Sequence, residues 1–375
     1  MRVIIAADKF KGSLSALEVC IAIEDGIKKF DSSIETIKHP LADGGEGTLD
    51  ILQNHFELKN FEVPVKDPLF RDILADYMVS ENTAYIEMSS ASGLQLLEEE
   101  EKNCYYTSTF GTGQLILDAL QKGFKKIVLF IGGSATNDGG IGMAAALGYQ
   151  FHDDANESIA PIGKSLLSIN RIENDKLLFD LKDINFSVVC DVKNPLYGPN
   201  GAAYIYGGQK GASSEEIETL DLGLQNFSKQ VLKYLNKEVA DIPGAGAAGG
   251  MGAGAVCFLN ATITSGIDFV MEQTGFDVLL KNHVDLIITG EGSVDKQTIE
   301  GKVIKGISER AIQNHIPFSI ICGIVKDGKL IQENLHPKSI ASIMELGVTT
   351  TDAMTNASLH ISSIACKMLK EHTES

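Results

Sequence analysis

Hydrophobic positions near the start of the chain come as a continuous run, Val3 to Ala7, the pattern of a strand buried on both faces. The run ends in the polar segment Asp8-Lys9-Phe10-Lys11-Gly12, and Ser15 with Glu18 then forms a capping box. Leu14, Leu17, Ile21, Ile27 and Phe30 supply an apolar stripe, so a helix is predicted to about Phe30. Glu35 to Leu41 predicts a second strand, followed by Asp43-Gly44-Gly45-Glu46-Gly47 and a helix to about His55. Towards the other end, Asp285 to Thr289, Pro317 to Ile324 and Ser339 to Met344 predict three more strands with helices around them. Strands alternating with helices in this way predict a parallel, doubly wound sheet.

The middle of the chain breaks that rhythm. Phe61 to Val63, Ile73 to Val79 and Tyr85 to Glu87 alternate between apolar and polar residues and are separated by turns such as Asp67-Pro68, which predicts antiparallel strands. A helix from about Gly113 to Gln121, a strand from Lys126 to Ile131 and a long helix from about Ser214 to Asn236 follow. The expected organisation is therefore a discontinuous domain, 1–64 with 285–375, carrying an inserted α/β domain of mixed sheet at 65–284, with a site in the cleft between them. A length of 375 residues suits two cores.

Charge and composition narrow the function classes. The formal net charge of -18 opposes nucleic-acid binding, because a phosphate backbone selects clustered cations. An anionic substrate then needs local lysines, helix starts or a divalent cation. The six cysteines are scattered singly and the first apolar run is too short for a leader or a membrane span, so a cytoplasmic, non-membrane protein is expected. The eight histidines show no zinc spacing, and no structural metal is expected.

Glycine-rich polar segments at predicted strand ends carry the candidate chemistry. Asp8 to Ser13 lies where open α/β sheets place ligand groups, and its Lys9 and Lys11 suit a phosphate or carboxylate as well as they suit a solvated loop. Gly132-Gly133-Ser134-Ala135-Thr136-Asn137-Asp138-Gly139-Gly140 runs from a strand into a small-residue helix. Backbone N–H groups there can approach an anion, with Ser134, Thr136 and Asn137 adding hydrogen bonds; Asn137 or Asp138 can equally serve only as a helix cap. In Thr289 to Thr298, Glu291 and Asp295 suit Mg²⁺ and Lys296 suits a phosphate, or the segment is a capped turn with a surface ion pair. Pro243 to Gly254 contains a literal G-x-G-x-x-G with Asp268 beyond it, but no strand is predicted before it, so a Gly-rich loop is expected rather than a dinucleotide site. Walker-type, protein-kinase and G-x-S-x-G signatures are absent from the sequence.

ADKFKGSLSA (7–16), PLADGGEGT (40–48), GGSATNDGG (132–140), CDVKNPL (190–196), PGAGAAGGMG (243–252) and TGEGSVDKQT (289–298) together resemble the bacterial type 1 glycerate kinase family, in family order. The resemblance implies ATP-dependent, Mg²⁺-requiring phosphorylation of D-glycerate, with 2-phosphoglycerate favoured, by a flavodoxin-like domain carrying an insert. Alternatives are a kinase of a related sugar acid or a non-catalytic sensor of sugar acid or nucleotide. On this reading Asp191, in a polar loop after the strand-like Phe186 to Cys190, is the candidate base, or equally a buried strand-end carboxylate in a structural ion pair beside Lys193, and Lys9 and Lys11 meet the phosphates. Arg71, Ser134, Asn137, Asp138 and Lys193 bind the sugar acid. Gly290, Gly292, Ser293 and Lys296 bind nucleotide, and Asp8, Asp43, Glu291 and Asp295 are candidate metal or hydroxyl ligands. Two departures from the family pattern stand out, Phe70 where Gly is frequent and Gly208 where Pro is common.

Overall fold

The computed structural model describes residues 1–44, 47–300 and 303–374. Gly45 and Glu46 of the Gly-rich sequence after Asp43, and the side chain of Gln297, lie outside the described residues. The chain divides into two compact units, Met1–His55 with Ser265–Ser375, and Phe56–Thr264.

The first unit opens with β1 (Arg2–Ile5), whose Val3, Ile4 and Ile5 are fully buried. Helix α1 (Ala16–Phe30) starts at the predicted box: Ser15 Oγ accepts from Glu18 N–H while the Glu18 carboxylate accepts from Ser15 N–H. It turns Val19, Cys20, Ile23 and Ile27 into the core. β2 (Glu35–Lys38) pairs with β1 in parallel, and α2 (Thr48–Gln53) follows.

The second unit holds β3 (Lys59–Lys66), β4 (Asp72–Ser80), β5 (Thr83–Glu87), α3 (Phe110–Gln121), β6 (Lys126–Phe130) and α4 (Ile141–Ala146). It continues through β7 (Gln150–His152), β8 (Arg171–Glu173), β9 (Asn185–Val189), α5 (Ser214–Leu235), α6 (Ala247–Leu259) and β10 (Thr262–Thr264). Its main sheet has the order β10-β9-β6-β5-β4-β3. The predicted antiparallel stretch is real: β3 pairs with β4 and β4 with β5 antiparallel, while β5, β6, β9 and β10 are parallel, making the sheet mixed. Pro64 sits inside β3, tolerated because β3 is the edge strand. The Gly-rich segment expected as a loop is largely helix α6, broken by left-handed backbone at Ala248, Gly249 and Gly250.

Returning to the first unit, α7 (Gly266–Gln273), β11 (Leu286–Val294), α8 (Val303–Gln313), β12 (Phe318–Val325), α9 (Gly328–Leu335), β13 (Ser339–Ser342), α10 (Thr350–Thr355) and α11 (Ala357–Glu374) complete it. The sheet order is β13-β12-β11-β1-β2, all parallel, which in the unit's own strand sequence is the flavodoxin-like 2-1-3-4-5 arrangement. α1 packs on α11 through Ile23, Ile27, Ile361 and Leu369.

Both unit boundaries differ from the expected 64/65 and 284/285. Residues 59–64 pair with β4 along their length, so they belong to the second unit. Residues 265–284 belong to the first, where Arg310 of α8 pairs with Asp268 and Asp277 and Ile267 packs against Gly306. No helix among the described residues is long and apolar enough to cross a membrane.

Candidate active site

β1 is flanked by β2 on one side and β11 on the other, so the chain leaving its carboxyl end stands at the switch point where doubly wound sheets bind ligands. Backbone hydrogen bonds from β1 and its continuation to β11 run as far as Asp8 N–H and Gly290 O, while β11 and β12 stay paired as far as Val294 and Val325. The extension raises Glu291 to Val294 as a wall beside the loop Asp8–Ser13, which closes on itself through a bridge between Phe10 and Leu14. Between wall and loop lies a cavity of about 630 Å³.

Its polar lining is Asp8, Lys9, Lys11, Ser13, Asp43, Glu291, Gly292, Ser293 and Thr350. Glu291 is buried, with Oε1 3.4 Å from the Ile304 N–H in the first turn of α8, where a carboxylate gains from the helix dipole. Ser293 Oγ is buried without a hydrogen-bond partner among the described residues, an unspent polar group at the cavity wall. The opposite lining is apolar: Phe10, Ile324, Ile343, Met344, Ala353 and Met354. These side chains come from strand ends and α10, and in sequence they resemble ordinary core residues, so no signal marked them.

Three of the expected nucleotide or metal residues do not line this cavity. Gly290 is packed inside the sheet, where a Cβ would stand 2.1 Å from Ile321 O. Asp295 and Lys296 form a capped turn, the Asp295 N–H donating to Thr298 Oγ1 and the Lys296 N–H to Asp327 Oδ2, and the Lys296 side chain is exposed.

In the second unit, the segment 132–140 links β6 to α4. Asp138 is fully buried, and its carboxylate accepts from Thr109 N–H, Thr109 Oγ1–H, Gly140 N–H and Gly142 N–H at 2.8–3.1 Å. Burial pushes this carboxyl up while those donors oppose the shift. The group expected to meet substrate is spent holding the starts of α3 and α4. Asn137, next to it, is equally buried, yet Oδ1 and Nδ2 have no partner among the described residues, and neither has Thr136 Oγ1. Ser134 Oγ accepts from Lys210 Nζ at 2.6 Å; Lys210 was not singled out from the sequence. α6 supports this segment from beneath: Gly139 N–H donates to Gly249 O, and a Cβ on Gly249 would stand 2.0 Å from Thr136 O. That contact accounts for the Gly-rich run, and no strand leads into it as a dinucleotide motif requires.

Asp191 and Lys193 follow β9 and are both exposed, so Asp191 is not buried as the structural alternative requires. Nearby, Asn194 accepts from Tyr206 OH at 2.6 Å. Arg71 is half-exposed and its guanidinium pairs with Asp67 and Glu101, which hold it protonated. Phe70 has φ 63°, a left-handed backbone conformation that glycine adopts more readily than phenylalanine.

A family model described as the glycerate kinase family matches residues 3–372. A glycerate kinase of Bacillus cereus is 42% identical over 94% of this chain and 92% of its own length. A glycerate 2-kinase of Escherichia coli K12 is 42% identical over 87% of this chain and 86% of its own. A crystal structure from Salmonella typhimurium LT2 attributed to glycerate kinase 2 superposes with a TM-score of 0.86 at 37% identity, covering the whole of both chains. The family match across nearly the full length, with relatives of this identity, means that the chain belongs to the glycerate kinase family and is a phosphotransferase acting on glycerate.

Proposed function

We propose that the protein transfers the γ-phosphoryl group of ATP to the 2-hydroxyl of D-glycerate with Mg²⁺, as a member of the type 1 branch. The observation that carries the nucleotide side is the single cavity joining Lys9, Lys11, Asp8, Asp43, Glu291 and the unpartnered Ser293 Oγ to an apolar wall. Lys9 and Lys11 meet the phosphates, Gly292 and Ser293 supply close donors, and Ile324, Ile343, Met344 and Met354 cover the base. Among the described residues no cluster of three or more His, Cys, Asp or Glu side chains is built to hold an ion alone. A hard cation that keeps waters and shares its coordination with phosphates fits Asp8, Asp43 and Glu291. Mg²⁺ bound there would neutralise charge between the phosphates.

The sugar acid is assigned to the second unit. Ser134 and Asn137 retain hydrogen-bonding capacity, Lys193 offers an exposed cationic group for the carboxylate, and Arg71 would reach it by exchanging its pairs with Asp67 and Glu101. Asp191 is the base that orients the attacking hydroxyl. The 2-position is supported by the Escherichia coli relative, a glycerate 2-kinase. The test is NMR of the product formed from D-glycerate, ATP and Mg²⁺. A 2-phosphoglycerate spectrum is expected, 3-phosphoglycerate would overturn the regiochemistry, and no ADP release would overturn the reaction itself.

A further inference from the structure

Removing an ammonium from water is costly, so a buried lysine calls for a reason. Lys210 is 4% exposed and ends the short turn Gly208–Lys210. Its Nζ donates to Ser134 Oγ at 2.6 Å and Thr136 O at 2.8 Å, and no carboxylate among the described residues is ion-paired with it. The titratable groups facing it are the Asp138 carboxylate and the Cys104 thiol, with Glu216 beyond Cys104. Burial pushes the thiol up to about 11, so it is neutral, and Asp138 is engaged by Thr109, Gly140 and Gly142.

The direction of the Lys210 bond has a chemical consequence. A hydroxyl oxygen accepting from an ammonium must turn its own proton elsewhere. Ser134 has no acceptor for that proton among the described residues, and the Thr136 hydroxyl and Asn137 amide beside it are buried without partners. Leaving that many buried polar groups unmade within four residues is a cost that folding alone does not repay. Hydroxyl and amide donors converging in one short segment suit an anionic oxygen.

We propose that Lys210 is a positioning residue for glycerate phosphorylation: by donating to Ser134 Oγ and Thr136 O, it pre-sets Ser134 and Asn137 as donors to the carboxylate of the sugar acid. The inference rests on the reading that 134–137 binds the sugar acid. Lys210 acts through Ser134 and does not itself touch substrate. Burial pushes its ammonium down to about 8. Below that pH the charged form keeps Ser134 an acceptor. Above it, the neutral amine can accept the Ser134 proton, reversing the bond and withdrawing the donor.

The experiment is steady-state kinetics of the full chain from pH 6.5 to 9.5, for wild type, Lys210→Met, Lys210→Arg, Ser134→Ala and Asn137→Ala. In wild type the KM for glycerate should rise above pH about 8 while the KM for ATP stays within about twofold. Lys210→Met should raise the glycerate KM about tenfold at neutral pH and abolish the alkaline rise, since a charge-assisted hydrogen bond is lost. Lys210→Arg, charged throughout, should recover part of the affinity without the alkaline rise. A wild-type glycerate KM that is flat with pH overturns the proposal even if Lys210→Met does not fold. A folded Lys210→Met with wild-type glycerate KM overturns it too. If Ser134→Ala and Asn137→Ala raise the glycerate KM while Lys210→Met does not, only the positioning role fails; if neither raises it, the substrate reading of 134–137 fails and takes this inference with it.

Discussion

An exposed carboxylate two residues beyond a strand can reach a substrate hydroxyl without any prior unfolding, and Asp191 is placed in that way after β9. Asp191→Asn keeps the shape and removes the basicity, so kcat should fall by about a hundredfold or more with the glycerate KM within about threefold. A kcat near wild type in steady-state assays would remove Asp191 from the base role. Residue type was legible in the sequence; the state of each side chain was not. Asp138 and Asn137 are neighbours in one motif, yet among the described residues the carboxylate receives four donors and the amide has no partner. That difference depends on Thr109, far away along the chain, and on the turn of α4, neither of which local spacing reveals. Lys210 escaped notice because lysine is ordinarily exposed, and only the fold shows it buried.

Elements announced by apolar runs between polar turns were the most legible. β1, β11 and β12 lie within a few residues of their predicted positions, and the Ser15 box starts α1 as expected. The short pair β7 and β8 went unpredicted, since three-residue strands carry too little alternation to register. α6 was missed for a different reason. Glycine is a poor helix former, so a run of it predicts a loop, but here the absence of side chains lets the helix lie against the backbone of Thr136 and Asn137. Gly249, at φ 70°, needs both the left-handed backbone and the bare Cα. Gly249→Ala should therefore destabilise the protein by about 2–4 kcal/mol in chemical denaturation and raise the glycerate KM by displacing Thr136. An unchanged denaturation midpoint would show that α6 does not brace this segment.

At the scale of the whole molecule, each unit has its own hydrophobic core, and the proposed ligands are divided between them. A ligand protects most strongly the region it binds. In hydrogen exchange, MgADP alone should protect amides in 8–13 and 291–294, and glycerate alone those in 132–140. Nucleotide protection centred on 132–140 would reverse the assignment. The net charge of -18, legible from composition, makes those few lysines the local exception that anionic substrates need. The discontinuity of the first unit also bears on how the protein is made. β1 is a central strand, but its neighbour β11 is encoded some 280 residues later, after the whole second unit. At roughly 5–20 residues per second of synthesis, β1 waits on the order of 14–56 s with one sheet edge bare, while the second unit already has its full sequence. The nascent chain is thus exposed to edge-to-edge association through the same strand that leads into the loop Asp8–Ser13, and any chaperone demand during translation should fall on the first 55 residues.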